Sequence, residues 1–105
     1  MSADRFMTIR NPMYGSGQNV AYTGTAGTVT NSLPAGCNSV WVLCTTAAYV
    51  RVGAAPTATT SDFPVAANVG VVLPLPGDKD PQDTVKVSAV QVSSGGTLYM
   101  IPLAE

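Results

Sequence analysis

The stretch Val40–Pro56, VWVLCTTAAYVRVGAAP, decides how this chain is read. It holds a run of sheet-forming residues, a short Thr45-Thr46-Ala47 break, a second such run and a Gly-Ala-Ala-Pro stop. Side chains of an extended strand alternate sides. Val40, Val42 and Cys44 therefore share one face, and Trp41 and Leu43 the other. Both faces are apolar, which predicts a strand covered on both sides, in the middle of a sandwich or at a contact between subunits. In the second run Ala48, Val50 and Val52 turn inward, and Tyr49 and Arg51 outward. The spacing predicts a hairpin of these two runs.

The flanking sequence continues in the same idiom. Gln18 to Thr30 alternates weakly, with Val20 and Tyr22 on one side and Val29 after a Gly-Thr-Ala-Gly pause. Asn31 to Gly36 is a turn. Gly53 to Asn68, interrupted by Pro56 and Pro64, predicts a loop or ragged edge strand. Gly70 to Pro76 predicts a short edge strand, because proline donates nothing to a ladder. Gly77 to Asp83 is a charged turn. Val85, Val87 and Ala89 alternate and the phase then slips to Val90 and Val92, which predicts a bulge. Ser93 to Gly96 turns, and Thr97 to Ile101 returns as a second hairpin. Val, Thr, Gly and Pro are abundant while Glu occurs once and Lys twice, so helices are not expected.

The expected architecture is all-β: a small β-sandwich or jelly-roll-like barrel with an extended N-terminal arm. Residues 1–17 form the arm and a Gly15-Ser16-Gly17 hinge, and residues 18–105 a single β domain. At 105 residues one core is the natural number. Phe6, Met7, Ile9 and Met13 lie in the arm beside Arg5 and Arg10, where they either cap the core or anchor on a neighbouring subunit.

Charged residues make up only 10% of the chain and the net charge is −1. That balance gives no pull toward nucleic acid or an anionic membrane, and it leaves the chain poorly protected against association. No apolar run approaches the roughly 18 residues of a spanning helix. The charged segment MSADRFMTIRN is not expected to act as a secretion signal. Cys37 and Cys44 are separated by up to about 23 Å of strand, too far for a disulfide, and read as small buried hydrophobes.

Little chemistry is on offer. The chain contains no histidine, which removes Ser-His-Asp and Cys-His arrangements and most zinc sites. Asp78, Asp80 and Asp83 share one turn, but Lys79 and Pro81 stand where a calcium loop places its ligands or its glycine. No catalytic residue, metal or cofactor is expected. An enzyme is the least supported class, with the aspartates Asp62, Asp78, Asp80 and Asp83 its candidates. Trp41 and the tyrosines leave open a glycan-binding face, against which stands the reading of Trp41 as a packed core aromatic.

VRVGAAPTATTSDFPVAANVG, then LPLPGDK, then VSAVQVSSGGTLYM, together about half the chain, resemble a group of small virion proteins of tailed bacteriophages. The shared pattern runs GxxPTAT…PA…PGDK…GGTLY. This chain departs from it by a longer loop at Asp80–Thr84. The resemblance implies a non-enzymatic capsid decoration (cement) protein, made in the host cytoplasm and carried on the capsid surface of the virion. Its implied partners are the phage major capsid protein and further copies of itself, as a dimer or trimer, with no nucleic acid and no membrane. The capsid-contact candidates are Arg5, Phe6, Met7, Ile9, Arg10, Met13, Tyr14, Phe63 and Pro64. The oligomer-contact candidates are Trp41, Leu43, Tyr49, Val71, Leu73 and Leu75. A tail, spike or head-fibre module that binds host surface glycan is the alternative.

Overall fold

The computed structural model describes residues 11–75 and 85–104. The described residues form no helix and nine strands: β1 (Asn11–Pro12), β2 (Gln18–Tyr22), β3 (Gly27–Thr28), β4 (Ser39–Cys44), β5 (Ala48–Ala54), β6 (Phe63–Val65), β7 (Val71–Pro74), β8 (Val85–Gln91) and β9 (Gly96–Ala104). All named strand pairs are antiparallel.

The pairings are nested. β5 pairs with β6, β4 with β7, β3 with β8 and β2 with β9. The chain is thus one long antiparallel ribbon, doubled back in the loop between β5 and β6. Two further pairings, β4 with β9 and β5 with β8, roll the ribbon into two facing sheets. Sheet A runs β2-β9-β4-β7, with β1 also on β9, and sheet B runs β3-β8-β5-β6. Eight strands wound this way make a jelly roll.

Both expected hairpins are corrected by this topology. β4 and β5 lie in different sheets, as do β8 and β9. The Thr45–Ala47 and Val92–Gly95 breaks are crossings between layers. The reason lies in their hydrogen bonds. A hairpin turn satisfies its own strands, whereas here each crossing bonds to the other. Thr45 N–H donates to the Thr97 carbonyl (3.0 Å) and Val92 N–H to the Ala47 carbonyl (3.1 Å). Thr97 N–H donates to Thr45 Oγ1 (2.9 Å) and Thr46 Oγ1 to the Ser94 carbonyl (2.9 Å). The expected bulge is absent too: the ladder runs unbroken from Ala54↔Val85 to Ala48↔Gln91. The apparent phase slip arises because Val90 is buried on the outer side of sheet B, which is not wholly open to water.

The inner layers follow the alternation read from the sequence. Val40, Val42, Cys44, Leu98 and Met100 of sheet A meet Ala48, Val50, Val85, Val87 and Ala89 of sheet B, all buried in one cluster. Tyr22 is 2% exposed and ties its strand to the first crossing. Its hydroxyl donates to the Thr46 carbonyl (2.7 Å) and accepts from Thr46 N–H (3.2 Å). The expected edge strands are edges: β7 ends sheet A and β6 ends sheet B, each containing a proline. On either side of Gly15–Gly17, β1 and β2 pair with the same strand, β9.

The loop between β5 and β6 folds back on the outer side of sheet B. Pro56 is buried and Ala58 is 5% exposed. Ser88, fully buried, receives the Ala58 N–H (3.0 Å) and donates to the Gly27 carbonyl (3.1 Å). Thr28 Oγ1 donates to the Pro56 carbonyl (3.2 Å). Ser88 and Thr28 together therefore hold the ribbon tip against β3 and β8.

Two stability measurements check this account. A Cβ at Gly96 would stand 2.5 Å from Thr46 Oγ1, 2.7 Å from Thr45 Oγ1 and 2.8 Å from the Tyr22 hydroxyl. Gly96→Ala is expected to lower unfolding free energy by about 2–3 kcal/mol in urea titration, as overpacking does; an unchanged midpoint refutes the closure described. Ser88→Ala leaves a buried N–H and a carbonyl without their partner and is expected to lose about 1–3 kcal/mol. A neutral result there means the loop is not held by this residue.

Candidate functional site

The register fixes what sheet A shows on its outer side. Trp41 stands opposite Ile101 on β9 and Val72 on β7, and Leu43 stands opposite Tyr99. Opposed residues of an antiparallel pair share a face, so these five form one surface across three strands. Tyr99 is 47% exposed and Val72 46%. Trp41, Leu43 and Ile101 are half-buried. The Trp41 indole lies over Gly70, where a Cβ would fall 2.5 Å from the ring. Glycine at this position lets the ring lie flat across the edge strand instead of standing off the sheet.

Electrostatics set this face apart. The charged residues among those described are Arg51, Asp62 and Lys86. Arg51 is on β5 and Lys86 on β8, both in sheet B, and Asp62 lies in the loop leading to β6. The five strands of sheet A contain no charged residue. Three strands about 4.8 Å apart and up to about 20 Å long present roughly 300 Å², at the lower end of the largest apolar patches on monomers, which are often functional.

The sequence-predicted residues are distributed as follows. Trp41 and Leu43 lie on the outer face of sheet A. Val71 and Leu73 have the opposite parity: they pair with Val42 and Val40 and face the core, which Leu75 also contacts. Their side chains serve the fold rather than a surface. Tyr49 projects from the outer side of sheet B, away from Trp41, beside Pro64 and Val90. Met13 packs on the core, while Tyr14 is 85% exposed. Phe63 (48% exposed) and Pro64 lie on edge strand β6. Arg5, Phe6, Met7, Ile9 and Arg10 lie outside the described residues, as do Asp78, Asp80 and Asp83. Val72, Tyr99 and Ile101 were not singled out from the sequence. Their signal was present in TLYMIPL, which is apolar at both parities, but placing them beside Trp41 requires the register.

Polar candidates are occupied structurally. Asp62 Oδ2 accepts from Thr59 N–H (2.7 Å), and its Oδ1 lies 3.4 Å from the Arg51 guanidinium. A cleft of about 200 Å³ is lined by Gly15–Gln18, Asn31, Ser32 and Pro34. Gln18 spans it, donating to the Asn31 carbonyl (2.9 Å) and accepting from Asn31 N–H (3.0 Å). Among the described residues no group of three or more His, Cys, Asp or Glu side chains is placed to hold a metal. Cys37 and Cys44 are free and buried. Desolvation pushes both thiols above their ordinary pKa of about 9; backbone hydrogen bonds at Leu103 and Ser39 oppose it for Cys37, and the nearby Tyr22 hydroxyl opposes it for Cys44.

No family model matches the chain, and no curated protein or solved structure matches it.

The thiol environment gives a pH dependence. Above about pH 9 the unfolded chain releases these protons before the folded one does, so the unfolded state binds fewer protons and stability falls as pH rises. Between pH 8.5 and 10, the decline in unfolding free energy is expected to be shallower in a Cys37→Ala, Cys44→Ala double variant than in the parent. Equal slopes refute the burial of the thiols, as does rapid labelling of both by a thiol reagent under native conditions.

Proposed function

We propose that this chain is a non-enzymatic structural protein of a tailed-bacteriophage virion, a decoration protein that binds the outside of the major capsid protein shell and stabilises contacts between capsomers. The observation that carries this reading is the uncharged apolar face of sheet A: the molecule exposes a surface suited to adhesion, and its thiols are buried. The resemblance of Val50–Met100 to small virion proteins supports it. The structure gives that pattern a physical meaning. The PTAT segment supplies Pro56 and Ala58, held over β3 and β8 through Ser88 and Thr28, and the GGTLY segment supplies the close approach at Gly96. These residues specify a fold rather than a reaction.

Jelly rolls serve both viral shells and lectins, so the fold alone does not choose between decoration and glycan binding. The character of the face favours decoration. Glycan recognition sets hydrogen-bonding groups around an aromatic platform, whereas the cross-strand neighbours of Trp41 and Tyr99 are Val72, Ile101 and Leu43, with Asn19 the one polar residue among them. A decoration protein also needs no strong single contact, because many weak attachments around a shell act together. In this reading the outer face of sheet A meets neighbouring copies on the shell, and the shell itself is met by the arm, including Tyr14, and by the Gly53–Leu75 side with Phe63 and Pro64.

The test is binding of purified chain to shells of the virus that encodes it. Full-length protein is expected to saturate the shells, and deletion of residues 1–11 to reduce occupancy at least tenfold. Unchanged occupancy removes the arm from the mechanism. Antibody labelling confined to tails or fibres, together with binding on a glycan array, replaces decoration by host recognition.

A further inference from the structure

We infer that the segment before Asn11 closes over one end of the outer face of its own sheet A, with Phe6, Met7 and Ile9 as the cover, and that this contact competes with attachment of the same segment to a shell. The cover is argued from the fold alone; the competition rests on the decoration reading.

The observation is a break in alternation. Opposed residues share a face, so the register lays three rows across the outer side of sheet A. Pro12, Leu103, Ser39 and Pro74 form the first, Ile101, Trp41 and Val72 the second, and Asn19, Tyr99 and Leu43 the third. The second and third rows are half-buried or exposed. In the first, Leu103 is 6% exposed and Ser39 1%. The outer side of a two-layer sandwich has no further sheet above it, so burial in that row needs a cover.

Sheet B shows what such a break means. Proline aside, the buried apolar residues that stand outside the core cluster are Ala58, Val90 and Leu103, among those described. The first two belong to the outer side of sheet B, where the loop through Pro56 and Ala58 is bonded to Ser88. Leu103 is their counterpart on sheet A.

Chemistry selects the cover from the segments that adjoin this row. The turn before β4 commits its apolar residues Leu33 and Cys37 to the core. The stretch after Leu75 carries Asp78, Lys79, Asp80 and Asp83, and the row holds no charge to pair with them, so laying them over Leu103 costs solvation without return. The segment before Asn11 brings Phe6, Met7 and Ile9, and methionine fills irregular apolar gaps. Arg5 and Arg10 beside them lay their stems on such a surface and keep the charge in water. Reach makes the contact internal. Pro12 stands beside Leu103 in the row itself. At about 3.3 Å per residue, Ile9 lies within about 10 Å of Pro12 along the chain and Phe6 within about 20 Å. The side chains of this cover are also proposed shell contacts. One side chain does not serve both, so whatever weakens the cover strengthens attachment by the same factor.

A nitroxide on the segment tests the cover. The native thiols are buried, so the label is coupled at Asp4→Cys in the full chain, a position up to about 23 Å from Asn11 when undocked. In amide spectra of the isotopically labelled protein, the signals of Trp41, Ile101 and Leu103 are expected to be broadened away, and those of Arg51 and Lys86 on sheet B to keep their intensity. A Phe6→Ser, Met7→Ser, Ile9→Ser chain with the same nitroxide is expected to recover the lost signals. Undiminished signals in the first chain overturn the inference. So does broadening that survives the serines, or that appears only when the nitroxide is on a second, unlabelled copy, or that arises from Gln82→Cys and not from Asp4→Cys. The competition is read on shells at limiting protein: Leu103→Ala, shown to be folded by its thermal transition, is expected to raise occupancy, and occupancy equal to the parent's refutes the competition. A parent chain that is broadened as expected but never binds shells refutes decoration and leaves the cover standing.

Discussion

The molecule depends on the closure at one end of the roll, where the two inter-sheet crossings lie side by side. Thr45 and Thr46 in one crossing exchange hydrogen bonds with Ser94 and Thr97 in and beyond the other, and the Tyr22 hydroxyl anchors Thr46 from beneath. Three hydroxyl groups converge on Gly96, and only a residue without a side chain admits them all. Were this junction to open, β4 and β5 would lose the constraint that sends them to opposite layers. The nested ribbon would then be free to flatten into ordinary hairpins with one apolar side unburied. Closure is thus what turns a sticky ribbon into a core.

The same winding distributes charge. Except at the tip, where β5 turns back as β6, successive strands from β2 onward alternate between the sheets. A charged position in β5 or β8 therefore lands in sheet B whatever its neighbours in sequence are. Arg51 lies only eight residues beyond Leu43 along the chain, yet the two occupy opposite layers of the sandwich. The apolar face arises from topology as much as from composition, and it is absent from any linear window of the sequence.

This explains what could be read in advance. Strand content, inward parity and edge positions are local properties: period-two alternation marks Val40, Val42 and Val50, and proline marks β6 and β7. Both-sided apolarity in β4 was likewise visible. Layer assignment was not, because a three-residue break between two strands has the same local pattern whether it folds back in one sheet or crosses to the other. The arbiter is a set of hydrogen bonds to residues about fifty positions away. The face around Trp41 was legible only in part for the same reason. Trp41 and Leu43 follow from parity, whereas their neighbours Ile101, Tyr99 and Val72 arrive through pairings of β4 with β9 and β7. For Val71 and Leu73 the sequence left parity open: without the register, which side of an all-apolar edge strand faces the core is undetermined.

A surface of this kind constrains what recognition can achieve. The five strands of sheet A carry no charged residue that could steer a partner onto the face. Specificity then rests on how the flat indole and its aliphatic neighbours fit their counterpart. A roughly 300 Å² contact is weak singly, and its effect grows steeply with the number of copies held close together. For an isolated chain this amounts to marginal adhesion. On a lattice that presents copies at fixed spacing, the loop-closure entropy of each additional contact is already met by the lattice. A small, nearly uncharged roll can there reinforce an assembly that none of its single contacts would hold.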